Sequence, residues 1–132
     1  MNFSQIFQKV ITDWLRGTPT TPPTSLLIGL STANPLMNGA GVVEPPSPNG
    51  YARQAITFGA EVFVNGTGST VKNSAPIVFG PVTNADWNPI THVCVYSQSG
   101  QLLLQGALAS PTVITVGGSL PIAIDALQFL VR

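Results

Sequence analysis

Large apolar side chains open the chain at Phe3, Ile6, Phe7, Val10, Ile11, Trp14 and Leu15, the i, i+3, i+4, i+7 spacing of one helical face. Ser4, Gln5, Gln8, Lys9, Thr12, Asp13 and Arg16 fill the other face. The pattern predicts an amphipathic helix within residues 1–16, capped by Asn2 with Gln5 as its capping-box partner and stopped at Gly17. Its apolar stripe, with Phe3, Phe7, Ile11 and Trp14 as candidate contacts, serves either the chain's own sheet or a neighbouring subunit. Next comes "GTPTTPPT" (17–24), a stiff strap, because proline fixes φ and removes N–H donors.

From residue 25 the period changes to two. "SLLIGLST" puts Leu26, Ile28 and Leu30 on one face of a strand. The segment 33–50, "NPLMNGAGVVEPPSPNG" after Ala33, shows no sustained period. A loop of that length in a compact domain is usually functional or a contact arm. Its apolar residues Pro35, Leu36, Met37, Val42 and Val43 make an arm lying on a partner the preferred reading. Beyond it, "YARQAITFG", "AEVFV", "TVKNS", "PIVFG", "THVCVYS", "QLLLQGAL", "TVITV" and "SLPIAIDALQFLVR" read as short strands separated by turn signals. Asn65-Gly66 marks a hairpin turn, and "PVTNADWNP" marks a corner held by an Asx-turn at Asn84 or Asp86. The expected architecture is mainly β: a single β-sandwich, jelly-roll-like, over residues 25–132, with the amphipathic helix outside it.

Composition then turns the question toward assembly. Only ten of 132 residues are charged, five of each sign, about a third of the share in an average soluble domain. Such a surface is thin in the groups that keep monomers apart, so a homo-oligomer is expected. Five scattered cations cannot supply the counterion displacement that nucleic-acid binding draws on. No run of about 18 apolar residues exists to span a membrane, and the first residues mix polar and apolar types unlike a secretory leader. One cysteine, Cys94, allows no internal disulfide.

Candidate chemistry is sparse. His92 is the only histidine and the only conventional base for a serine nucleophile, with Asp86 or Asp125 to orient it, but no nucleophile elbow frames it. His92 and Cys94 share a strand face, yet zinc needs four ligands; Asp86 with Asn84 and Asn88 lacks the acidic density of a calcium site. Five widely spaced acids do not suggest a glycosidase pair. Tyr51, Trp87 and Tyr96 would stack on sugars only if exposed together. No enzyme and no cofactor are expected. Arg53 stands out, a guanidinium in a half-apolar strand with Tyr51, Ala55 and Thr57, opposite the core-type Ile56 and Phe58. It suits a bidentate clamp on a carboxylate, Glu61, Asp86 or Asp125, in this chain or another.

The helix followed by "LLIGLSTANP", then "GYARQAITFGA", "NSAPIVFGPVTNADWNPITHVCVYS" and "SGQLLLQGAL", resembles a group of small tailed-bacteriophage virion proteins often described as tail-fibre proteins. The likeness covers about residues 3–108; its most specific parts are the GYARQ and ADW segments. The proline-rich 33–50 segment and the apolar C-terminal strand depart from it. The resemblance implies a non-enzymatic structural protein. Similar small β-sandwich phage proteins act as capsid cement, commonly as trimers clamping shell subunits. Capsid decoration on the head exterior by a trimer of this chain, with the major capsid protein as partner, is therefore the leading expectation, and a receptor-binding tail-fibre module is the alternative.

Overall fold

The computed structural model describes residues 1–131. In chain order the elements are β1 (Asn2–Phe3), α1 (Gln5–Leu15), β2 (Leu26–Ser31), β3 (Gln54–Ile56), β4 (Val62–Val64), β5 (Gly68–Lys72), β6 (Ile77–Phe79), β7 (Trp87–Ser97), β8 (Leu102–Ile114), β9 (Leu120–Ile122) and β10 (Gln128–Val131). The strands form three antiparallel sheets, ordered β1-β8-β7-β2-β3, β10-β5-β4 and β6-β9. The chain is thus mainly β with one N-terminal helix, and it is sandwich-like. One layer is the five-stranded sheet; the opposing side is divided between the two smaller sheets.

Alternation dictates the core. Ile28 and Leu30 on β2, Val93 and Val95 on β7, and Leu104 on β8 point inward. They meet Ile77 and Phe79 of β6, Phe129 of β10 and the buried Trp87. Trp87 plugs the corner as its position suggests, its indole N–H donating to the Asn49 carbonyl at 2.9 Å. The opposite face of the same sheet buries Cys94, Tyr96 and Leu102, with Leu27 and Val42 packed on them. A sheet buried on both faces needs a cover on each side. Here the second cover comes from the 33–50 segment.

Four boundaries differ from the sequence expectation. Asn2 is not the helix cap, because Asn2 and Phe3 pair with Gln105 and Leu104 as a strand. The cap is Ser4, whose hydroxyl accepts from Phe7 N–H at 3.1 Å, and Gly17 ends the helix at φ 77 as predicted. Ser4→Ala should therefore cost about 1 kcal/mol, read from chemical denaturation. Secondly, "QLLLQGAL" and "TVITV" are one strand. Between the Ile90↔Thr112 and His92↔Ala107 pairs, β8 carries residues Leu108 to Pro111 against Thr91 alone. Pro111 marks this bulge rather than a break, as proline in a sheet does.

Thirdly, "SLPIAIDALQFLVR" is two strands, not one. Asn73, fully buried after β5, turns the chain between them. Its amide donates to the carbonyls of Ala75 (2.9 Å) and Ala123 (3.0 Å) and accepts from Leu127 N–H (2.9 Å). Its backbone binds Leu127 and Asp125, and Asp125 itself adopts φ 64. Fourthly, the Pro/Asn corner is held by long-range bonds, not a local Asx-turn. Asp86 accepts from Val116 N–H at 2.8 Å, and Asn84 donates to the Pro48 carbonyl. The Asn65-Gly66 turn does form, with Gly66 at φ 84 and Thr67 N–H donating to Val64.

Candidate functional site

Arg53 lies just before β3, on the side of the sheet away from Ile56, and its partner is a residue the sequence reading did not consider. Nε and Nη2 donate to the two carboxylate oxygens of Glu44 at 2.8 and 3.0 Å. The pair is therefore intramolecular and bidentate, not formed with Glu61, Asp86 or Asp125. The guanidinium also sits 3.6 Å over the Tyr96 ring, close enough for a cation–π contact. Glu44 is the lone acid of the 33–50 segment, which was the available signal. What hid the pair is the eight residues of aperiodic chain between its members.

The clamp is extended by Tyr51. Its hydroxyl donates to Glu44 at 2.7 Å and accepts from Leu30 N–H at 2.9 Å. Strand β3 stops pairing with β2 at the Ile28↔Gln54 position, so the Tyr51 hydroxyl takes over where the ladder ends. Gly29 leaves room for this. A Cβ there would stand 2.8 Å from the Tyr51 hydroxyl and 3.0 Å from Glu44. Burial opposes ionisation of Glu44, but the bonds from Arg53 and Tyr51 and the Arg53 charge outweigh it, holding the carboxyl below its ordinary value. The Glu44 bond raises Arg53 further, and burial raises both tyrosines.

Further bonds seat the rest of the loop. Thr32 N–H donates to the Val43 carbonyl at 2.8 Å, Val43 N–H to the Ser31 hydroxyl at 3.1 Å, and Gln5 N–H to the Met37 carbonyl at 2.7 Å. The segment expected to reach a partner is thus tied to its own sheet and helix. The predicted contact residues separate accordingly. Phe3 and Phe7 face the chain's own core, with ring centroids 4.9 Å apart and Phe3 5.1 Å from Phe129. Pro35 is buried, Val42 and Ile11 are half-buried, and Arg53 is occupied by Glu44. Trp14, Leu36, Met37 and Val43 are left on the outside. Trp14 is 68% exposed and its neighbour Leu15 71%, so the helix rests on the sheet by its first turns only. Leu36 is held at φ 61, a left-handed backbone that bulky residues rarely adopt. Strand β4 exposes Val62, Phe63 and Val64 together, which the sequence reading passed over as an ordinary strand.

The positions weighed for chemistry are dispersed. His92 Nδ1 lies 2.8 Å from the Thr91 hydroxyl, while Asp86 is engaged by Val116 and Asp125 sits in the β9–β10 turn. Cys94 is buried, and burial pushes its thiol up to about 11. Among the described residues, no three His, Cys, Asp or Glu side chains are grouped to hold a metal, and no helix is long and apolar enough to cross a membrane. Tyr51, Trp87 and Tyr96 are all buried, which corrects the idea of an exposed sugar-stacking trio; they are core and clamp residues. Tyr51 stacks on Phe79 and meets Trp87 edge-on.

The model of one protein family, podophage GP4 fiber I protein gp80, matches residues 2–130. Comparison with curated proteins gives no match. The match runs past the segments that carried the sequence resemblance and takes in the proline-rich loop and the C-terminal strands. With the helix, the Glu44–Arg53 clamp and all three sheets inside it, the chain belongs to this podophage fiber protein family and is a bacteriophage virion structural protein.

Proposed function

We propose that this chain is a non-enzymatic component of the phage tail fibre, which works by packing apolar surface against neighbouring virion proteins. The observation that carries the reading is an apolar display on a surface poor in charge, ten charged residues in 132. Trp14 and Leu15 at the helix end, with Leu36, Met37 and Val43 on the clamped loop, are offered to solvent. The total accessible surface is 7614 Å², against about 6,600 Å² for a compact monomer of this mass. The difference is of the order that one partner contributes to a standard interface, about 800 Å².

In this reading the clamp is a presentation device. Glu44, Arg53 and Tyr51 fix the loop against the sheet, so its apolar tips are ordered before contact and less freedom is lost on docking. The fibre description of the family favours the tail over the head exterior. Gold-labelled antibody against the chain on intact particles should mark the tail. A signal spread over the shell would overturn the fibre placement and support capsid decoration instead.

A further inference from the structure

The three-stranded sheet ends in a short edge, three residues long, that carries no lysine, proline or bulge. Among the described residues, strand β4 pairs with β5 on one side and with nothing on the other. Natural edge strands are blunted by lysine, proline, a bulge or a covering element. Val62, Phe63 and Val64 instead stand 60%, 67% and 51% exposed. The pleat places Phe63 on the same face as Phe129 and Val71, opposite Ser69 in the register. That face is covered by the core at Phe129 and runs out of cover at Phe63 and Val131.

We propose that β4 is a self-association edge, which pairs antiparallel with β4 of a second copy about a two-fold axis at Phe63. A free strand edge is satisfied only by another extended backbone, and exposed valine and phenylalanine only by apolar side chains. The strand's own sequence, reversed, supplies both. Setting Phe63 opposite Phe63 puts Val62 opposite Val64, so all three residues of each strand are paired. No like charges meet, because the paired residues are all apolar and the nearest charge, Glu61, accepts from the Ser69 hydroxyl of its own chain. Cross-strand pairs of aromatic and β-branched residues are the stabilising kind in sheets. The joined sheet would have six strands, with the two Phe63 rings covering each other where the core gives out. Three residues a side bury less than the roughly 800 Å² per partner of a standard interface, so this contact is weak in dilute protein and strengthened where copies are held together. It lies on a different part of the molecule from the helix end and clamped loop, and it does not depend on where in the virion the protein resides.

Phe63→Cys tests the register. Directly opposed residues in an antiparallel pair have Cα atoms about 4.5–5.5 Å apart, within disulfide range. The one native thiol, Cys94, is buried and stays silent. Under a mild oxidant, F63C should form a covalent dimer at least tenfold faster than V116C, which places a thiol at another exposed valine. In sedimentation equilibrium the parent chain should rise from 13.8 kDa toward twice that mass with concentration, and Phe63→Lys should hold it at the single mass with its thermal midpoint unchanged. Equal cross-linking rates for F63C and V116C would overturn the proposal. So would a concentration-dependent mass that Phe63→Lys leaves untouched.

Discussion

Asn73→Ala is expected to lower the stability by about 3 kcal/mol, because three hydrogen-bonding groups are stranded at a site with little access to water. The Ala75 and Ala123 carbonyls lose their donor, and Leu127 N–H loses its acceptor. Each orphaned group costs about 1–3 kcal/mol when buried, and partial hydration near the exposed Ala75 and Ala123 backbone keeps the sum toward the lower end. The loss should appear as a fall in the urea midpoint with little change in slope. Asn73→Asp separates this account from simple loss of volume. It keeps the shape and the acceptor but replaces the donating amide with an anion facing two carbonyls. It should therefore be at least as damaging as alanine, and less so at acid pH, where the carboxyl regains a proton. If Asn73→Asp were as stable as the parent at neutral pH, the amide would not be what holds the β9–β10 turn.

Arg53→Ala should cost about 2 kcal/mol, between the small worth of exposed ion pairs and the 3–5 kcal/mol of breaking a buried one. The intermediate value follows from side chains that keep 30% and 26% of their surface exposed. Glu44→Gln should lose much of the same stability, and the double variant should show a smaller loss than the two added, since both act on one contact. The pH dependence has a definite sign. The Glu44 carboxyl is held below its ordinary value of 4.5 in the folded chain, so between the two values the unfolded chain binds more protons. The contribution is complete above about pH 5 and is lost as the pH falls through the folded value. Glu44→Gln should flatten that part of the stability profile, as followed by urea unfolding across acid pH. A profile that is the same in both proteins would remove Glu44 from the clamp.

The parts of this fold that sequence could reveal are those written in short-range periodicity. Residues 3–15 show a helical stripe, and Ile28, Leu30, Val93 and Val95 alternate as core strands do. The Asn65-Gly66 turn carries its own turn chemistry, whereas the corner before Trp87 is closed by bonds to Val116 and Pro48, far along the chain. What was hidden depends on contacts far apart in sequence. Residues 120–131 look continuous because Ile122, Ile124, Leu127 and Phe129 keep the segment apolar, while the residue that bends it, Asn73, lies some fifty positions earlier. The same is true of the loop. Nothing local distinguishes an arm that reaches outward from one strapped inward by Glu44 to Arg53, and only the fold brings those side chains together. Arg53 itself was legible as a clamp residue, because a guanidinium in so uncharged a chain needs a counter-ion. The identity of its carboxylate was not. Strand β4 was legible as a strand in "AEVFV", but its exposure was not, because a strand open on both faces has no buried periodicity to display.

The two tryptophans occupy opposite surroundings, one sealed in the interior beneath a corner and the other projecting from the last turn of the helix. Intrinsic fluorescence of this chain therefore has two independent sources. Blue-edge emission from Trp87 is shielded from iodide until the polypeptide unfolds. Red-edge emission from Trp14 is open to the quencher in the free protein and becomes protected only when a neighbour covers the helix end. One unlabelled sample can thus report folding and docking in separate spectral windows.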